Sequence, residues 1–165
     1  HVVVMNSPSK TFNLASFFSA YVIVKNKNLK KAFDDIYKKY HFDYNYLGVE
    51  ALITTYNECD YYVDELNAYL RSNIDFSINY IHKHLPKLKV QYPDCSYLLW
   101  VDCEELGLNS EDLAGFFEGA GVRVNAGESY GKDSGHFVRV NIACTRSLLE
   151  RALQQIKVNY DKSGF

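Results

Sequence analysis

The feature that most constrains how this chain can fold is one long apolar stripe. Val49, Leu52, Ile53 and Tyr56 begin it, and Val63, Leu66, Leu70, Ile74, Ile78, Ile81 and Leu85 continue it at three- and four-residue steps. That period marks one face of a helix. Pro86 closes the stripe, because proline disfavours helical geometry in the residue before it. A helix over 49–85 would be about 50 Å long at 1.5 Å per residue, more than a compact domain of this size needs. The stripe therefore predicts a connector between two bodies, kinked near Cys59 to Tyr61.

The body before it reads as α/β. "HVVVM" has the pattern of a buried strand and "AYVIV" that of a second. Leu29, Ala32, Phe33, Ile36, Tyr37 and Tyr40 then form one stripe of an amphipathic helix. The body after Pro86 reads as α+β. "KLKVQ" and "SYLLWVD" are strands parted by the turn residues Pro93 and Asp94. "NSEDLAGFFEGAG" is a helix with Asn109 or Ser110 as its cap and Gly119 and Gly121 at its stop. "VRVN" and "HFVRVN" are two further strands around the loop "AGESYGKDSG", and "SLLERALQQI" closes as a helix with Ser147 and Glu150 at capping-box spacing.

Composition narrows the function classes. A formal charge of −2 gives no electrostatic reason for binding nucleic acid or an anionic membrane. No apolar run approaches the roughly 20 residues that span a bilayer, so a soluble, cytoplasmic protein is expected. The four cysteines, Cys59, Cys95, Cys103 and Cys144, are scattered without a Cys-x-x-Cys or a histidine at ligand spacing, so neither metal site nor disulfide framework is expected. The chain opens on His1 instead of methionine, which fits a piece of a longer protein.

Two residues invite a chemical reading. A lysine does covalent chemistry when its amine can condense with a carbonyl, and Lys10 follows a strand with Ser7 and Ser9 just before it. Small hydroxyl side chains can bind phosphate oxygens without blocking approach. Taken alone, Ser-Pro-Ser-Lys is more often a solvated turn. Arg139 lies in a strand whose alternation puts Val138 and Val140 on one face and the arginine on the other. On that pattern alone it reads as an outward-facing residue. Trp100 and Tyr130 read as packing residues and stay outside the expected site.

"NSPSKTFNLA" resembles the pyridoxal-phosphate lysine segment of fold-type I enzymes of aminotransferase class I/II, and most of all the cystathionine β-lyase (C–S lyase) group. "SYLLWVD", "GVRVNAGESYG" and "GHFVRVNIACTRSLLERAL" are similar to that group's small-domain strand, its Gly-Val-x-x-x-x-Gly loop and its C-terminal block, in the same order. The resemblance implies a C-terminal portion of that fold: 1–48 as the end of the cofactor-binding large domain, its two strands the remainder of a larger parallel-type sheet, 49–85 as the connecting helix, and 86–165 as the small α+β domain. It implies pyridoxal 5'-phosphate as cofactor, with Lys10 forming the Schiff base and acting as general base, and Ser7 and Ser9 beside the phosphate. Arg139 would grip the substrate's α-carboxylate with its planar fork.

The implied reaction is β-elimination from cystathionine or cysteine to pyruvate, ammonia and a thiol, by a homodimer acting on a small amino-acid substrate. Amino-acid transamination is the alternative, and a non-catalytic binding or regulatory fragment is a third reading. Phe18 stands where many aminotransferases carry a phosphate-binding arginine, a departure that leans toward the lyase group; Thr145 stands where a proline is frequent. The family builds most of its cofactor pocket from sequence before the lysine, including the aspartate that pairs with the pyridinium nitrogen. This chain by itself is therefore expected to be inactive.

Overall fold

The computed structural model describes residues 2–165. The chain divides into two compact units, His1–Leu66 and Asn67–Phe165.

In the first unit, β1 (Val3–Asn6) pairs antiparallel with β2 (Tyr21–Val24), Val3 opposite Val24 and Asn6 opposite Tyr21. Among the described residues the two strands pair antiparallel and no parallel pairing is present. The chain between the strands returns through turns and one short 3-10 segment, Ala15–Phe17, and has none of the crossover helix that parallel strands require. The expected burial of the first strand also fails: all four β1 residues are exposed. Its expected first residue, His1, lies outside the described residues.

Helix α1 (Lys27–Lys39) begins where Asn26 Oδ1 accepts the backbone N–H groups of Asn28 and Leu29, both at 3.0 Å. Lys38 and Lys39 end it, where cations suit the helix dipole. The expected apolar stripe is in this helix, yet none of its residues is buried.

The long helical stretch is divided. Helix α2 (Tyr46–Glu58) stops at Cys59 (φ −114°, ψ 27°), and α3 (Asp60–His84) starts at the next residue. Thr55 Oγ1 bonds back to the carbonyls of Ala51 and Leu52 at 2.8 and 3.1 Å, a pattern that bends helices just before their end. At the far end α3 stops two residues short of Pro86.

The second unit is a four-stranded antiparallel sheet in the order β3-β4-β6-β5, with helices on one face. Its strands are β3 (Lys89–Val90), β4 (Leu98–Asp102), β5 (Asn125–Ala126) and β6 (Phe137–Asn141). The inward residues Val90, Leu99, Val101 and Val138 form one buried cluster with residues of three helices. These are Ile74 and Ile81 of α3, Leu113 and Phe117 of α4 (Ser110–Gly119), and Leu149, Leu153 and Ile156 of α5 (Arg146–Lys162). Burial of that many aliphatic and aromatic side chains, about 1.5–3 kcal/mol each, is what holds the unit.

Two local expectations change here. The strand expected over "VRVN" is only Asn125–Ala126. Gly121 (φ +74°) ends α4 in a Schellman turn: Gly121 N–H donates to Glu118 O at 2.8 Å and Val122 N–H to Phe117 O at 3.0 Å. Val122 is thereby tied to the helix end and is unavailable to the sheet. The capping box at Ser147 and Glu150 does not form, since Ser147 is already inside α5 and Thr145 is the cap residue without a side-chain cap bond. The turn before the helix is held by α3 instead. Arg146 N–H donates to the Tyr69 hydroxyl at 2.8 Å, Arg146 Nη2 to Ser72 Oγ at 2.7 Å, and Asn73 Nδ2 to the Ile142 and Cys144 carbonyls at 3.0 Å each.

Candidate active site

In the first unit, Lys10 projects from a turn fixed on both sides. Phe12 N–H donates to Pro8 O at 2.9 Å and Leu14 N–H to Ser9 O at 3.0 Å, while Pro8 is buried. Two residues beyond Lys10, the Phe12 ring stacks on Tyr62 at 6.1 Å and meets Tyr56 edge-on at 5.8 Å. Tyr56 in turn meets Tyr21 of β2 edge-on at 6.0 Å. Its hydrogen bond with Tyr21, and then burial, push the Tyr56 phenol above its ordinary pKa. Lys10 itself is exposed, and its amine has no ion pair among the described residues.

The two serines sit together ahead of it. Ser7 Oγ donates to Ser19 O at 2.7 Å, which leaves the Ser9 hydroxyl, 2.6 Å away, to donate to Ser7 Oγ. Gly48 completes this side: a Cβ there would fall 2.0 Å from Ser19 Oγ and 2.8 Å from Phe17 O. Asn45 Nδ2 donates to that same Phe17 carbonyl at 2.8 Å, pinning the start of α2 against the segment. Phe18 is left-handed (φ +50°) and 89% exposed, pointing away from any packing role.

In the second unit, Arg139 is on the sheet face that the helices leave open. Its register neighbours are Trp100 of β4 and Asn125 of β5. Arg139 Nη2 donates to Asn125 Oδ1 at 3.1 Å, and the guanidinium carbon lies 4.8 Å from the centre of the Tyr130 ring. Arg139 Nε is buried without an acceptor. Trp100 meets Tyr130 edge-on at 5.6 Å and stacks on Phe137 at 5.3 Å. Tyr130 and Trp100, expected only to pack, thus enclose the arginine directly or through one ring. Asn125 was not expected at all; its strand is two residues long and gives no periodic signal, so only the register reveals it.

Nearby, Asp102, Glu104 and His136 bring one ligand-type atom each within 4.8 Å of one another, although no spacing in the sequence had indicated a metal site. Beneath β4, burial and then the Asp102 charge push the Cys103 thiol up to about 12. Burial also raises Cys144. Both are poor nucleophiles at neutral pH. No helix among the described residues is long and apolar enough to cross a membrane.

Residues 1–156 match the family described as aminotransferase class I and II, and the chain belongs to it. It is 29% identical over 153 residues to cystathionine beta-lyase PatB of Bacillus subtilis (strain 168), covering 92% of this chain and 40% of that protein. A pyridoxal-phosphate-bound protein from Clostridium difficile 630 superposes with TM-score 0.91 at 38% identity, over 96% of this chain and 41% of the other. The pyridoxal-phosphate-bound C-S lyase from Staphylococcus hominis gives 0.81 at 28% identity, over 96% and 42%. The chain spans about 40% of the length of the curated relatives it matches. The fold is the C-terminal portion of the fold-type I architecture.

Proposed function

We propose that this chain supplies the cofactor-anchoring lysine and the carboxylate-binding arginine of a pyridoxal-phosphate-dependent C–S β-lyase. Residues 1–48 are read as the end of the large domain, 49–85 as the connecting helical segment and 86–165 as the small domain. The observation that carries the reading is Arg139: a guanidinium held on an open sheet face, oriented by Asn125 and Tyr130, with its Nε–H unpaired. A carboxylate is the ligand such a planar fork fits.

The Lys10 turn fits the aldehyde and phosphate end of the cofactor. It offers an exposed amine on a fixed turn and, in Ser9, a hydroxyl whose present acceptor is another hydroxyl and so exchangeable for a phosphate oxygen. Ser7 keeps its bond to Ser19 O and anchors the loop while Ser9 turns. Pyridoxal 5'-phosphate would hold the substrate amine and act as electron sink for charge developing at Cα.

The chain's own residues do the rest. Arg139 would bind the α-carboxylate of the substrate. Lys10 Nζ takes the proton from Cα; the electron pair forms the Cα–Cβ double bond as the Cβ–S bond breaks. The leaving sulfur would carry off the proton held on Lys10 Nζ, and water would hydrolyse the released enamine to pyruvate and ammonia. Cystathionine or cysteine satisfies this chemistry, as does the name of the relative from B. subtilis. Phe18, where a phosphate-binding arginine would favour an aminotransferase, is consistent with the lyase.

The test is made on the cofactor-loaded enzyme. The Schiff-base absorbance band should vanish in Lys10→Ala, and wild type should release pyruvate from cystathionine without any added 2-oxo acid. Amino transfer that depends on a 2-oxo acid, with no pyruvate from cystathionine, would replace the lyase by a transaminase. An unaltered band in Lys10→Ala would remove Lys10 from the chemistry.

A further inference from the structure

We infer that Asn125 and Tyr130 are positioning residues that set the Arg139 guanidinium for its ligand before the ligand arrives; this rests on the reading of Arg139 as the carboxylate group. An arginine on an open sheet face has many rotamers, and a ligand that must select one loses affinity for it. Here two contacts make the selection. Asn125 is directly opposite Arg139 in the β5–β6 register, and its Oδ1 takes one Nη2 hydrogen at 3.1 Å. The guanidinium carbon lies over the Tyr130 ring, 4.8 Å from its centre. With one donor taken and the group held over the ring, the Nε–H and the remaining Nη hydrogens are left to bind an acceptor, and Nε has none in this structure.

Tyr130 can serve only if its loop is fixed, and Gly127 fixes it. A Cβ at Gly127 would fall 2.2 Å from Ser134 O and 2.7 Å from Phe137 O, so the loop lies directly against the start of β6. Ser129 Oγ donates to Ala126 O at 2.6 Å and tightens the same turn. Trp100 then closes the far side of Tyr130, edge-on at 5.6 Å. Neither Asn125 nor Tyr130 belongs to the buried core, and both are exposed, so changing them need not unfold the sheet.

The experiment compares L-alanine with its methyl ester, the same amine with and without a carboxylate. Binding is read from the cofactor absorbance of the loaded enzyme. Wild type should prefer the acid. Asn125→Ala and Tyr130→Leu should each cut that preference about tenfold while cofactor loading is unchanged. Asn125→Asp keeps an acceptor but cancels the charge, and should cut the preference further than the alanine variant.

A second readout uses this chain labelled at arginine nitrogens. The Arg139 Nη signals should be resolved in wild type and in Asn125→Asp, and averaged by rotation in Asn125→Ala. If Arg139→Ala abolishes the preference while Asn125→Ala and Tyr130→Leu leave it unchanged, the positioning role is overturned and the carboxylate reading stands. If Arg139→Ala retains the preference, both fall. If Asn125→Ala loses the preference but its Arg139 signals stay resolved, Asn125 touches the ligand itself, and positioning is again overturned.

Discussion

Asn73→Ala should destabilise the second unit by about 2 kcal/mol, and the figure follows from which groups the side chain leaves behind. Asn73 is fully buried on α3, and its Nδ2 donates to Ile142 O and Cys144 O at 3.0 Å each. Each bond is worth about 1 kcal/mol net. The two carbonyls fare differently when the amide goes. Ile142 O still accepts Cys144 N–H at 2.9 Å, so it stays satisfied. Cys144 O loses its donor, for a further cost of about 1 kcal/mol. Against that, Asn73 Oδ1 is itself buried without a partner, and deleting it returns about 1 kcal/mol. The balance is about 2 kcal/mol. The Ser77 hydroxyl is unaffected, because it donates to the Asn73 backbone carbonyl. Urea unfolding followed through Trp100, the one tryptophan in the chain, measures the effect. With a slope of about 1.5 kcal/mol per M, the midpoint should fall by about 1.3 M with the slope unchanged. A midpoint equal to wild type would refute the reasoning, since it would mean that the α3 amide does not hold the turn after β6.

The remaining predictions concern the loop and the thiols. Gly127→Ala should cost about 1–3 kcal/mol, because its Cβ meets two backbone oxygens and no flexible side-chain tip. It should also change Trp100 emission as Tyr130 is displaced; an unchanged spectrum and midpoint would show that the loop tolerates the methyl. Cys103, pushed from the ordinary 9.0 up to about 12, stays protonated in the folded chain after the unfolded chain has ionised. Its contribution to stability is therefore intact below pH 9 and is lost as pH rises toward 12, at about 1.4 kcal/mol per pH unit. Comparing urea midpoints of wild type and Cys103→Ala across that window isolates the thiol. In the folded chain a thiol reagent should modify exposed Cys95 and spare buried Cys103.

What the sequence made legible was whatever repeats or packs. The apolar face of α3 and the inward alternation of β4 and β6 are read directly from spacing, because burial on one side imposes a period. The cap at Asn109 is local chemistry: its Oδ1 accepts Asp112 N–H at 2.9 Å. Three readings failed where a distant group decides a local one. Ser147 and Glu150 look like a capping box, but Tyr69 supplies the acceptor for Arg146 N–H from α3. "VRVN" looks like a strand, but the Schellman turn at Gly121 keeps Val122 with α4. "HVVVM" looks buried, yet β1 has only β2 beside it and is exposed along its length.

The same division separates the two candidate groups. Every residue of the hydrophobic core lies between Ile74 and Tyr160, so the strand carrying Arg139 is positioned by burial as well as by hydrogen bonds. The Lys10 turn has no such support in its own unit. It is fixed by two backbone bonds, a serine pair and the Phe12–Tyr56–Tyr62 ring contacts, with Pro8 and Gly48 the buried residues. Aromatic contacts of this kind contribute about 0.5–1.5 kcal/mol each beyond area burial, and neutral hydrogen bonds about 1. These are enough to choose a turn geometry and too little to replace a core. The sequence motif around Lys10 consequently carries information that its packing does not. Serine, proline, serine and lysine are adjacent in the chain, whereas Arg139 owes its geometry to partners on other strands and loops. Motif resemblance pointed to both groups, and only the strand register showed Asn125 beside the second.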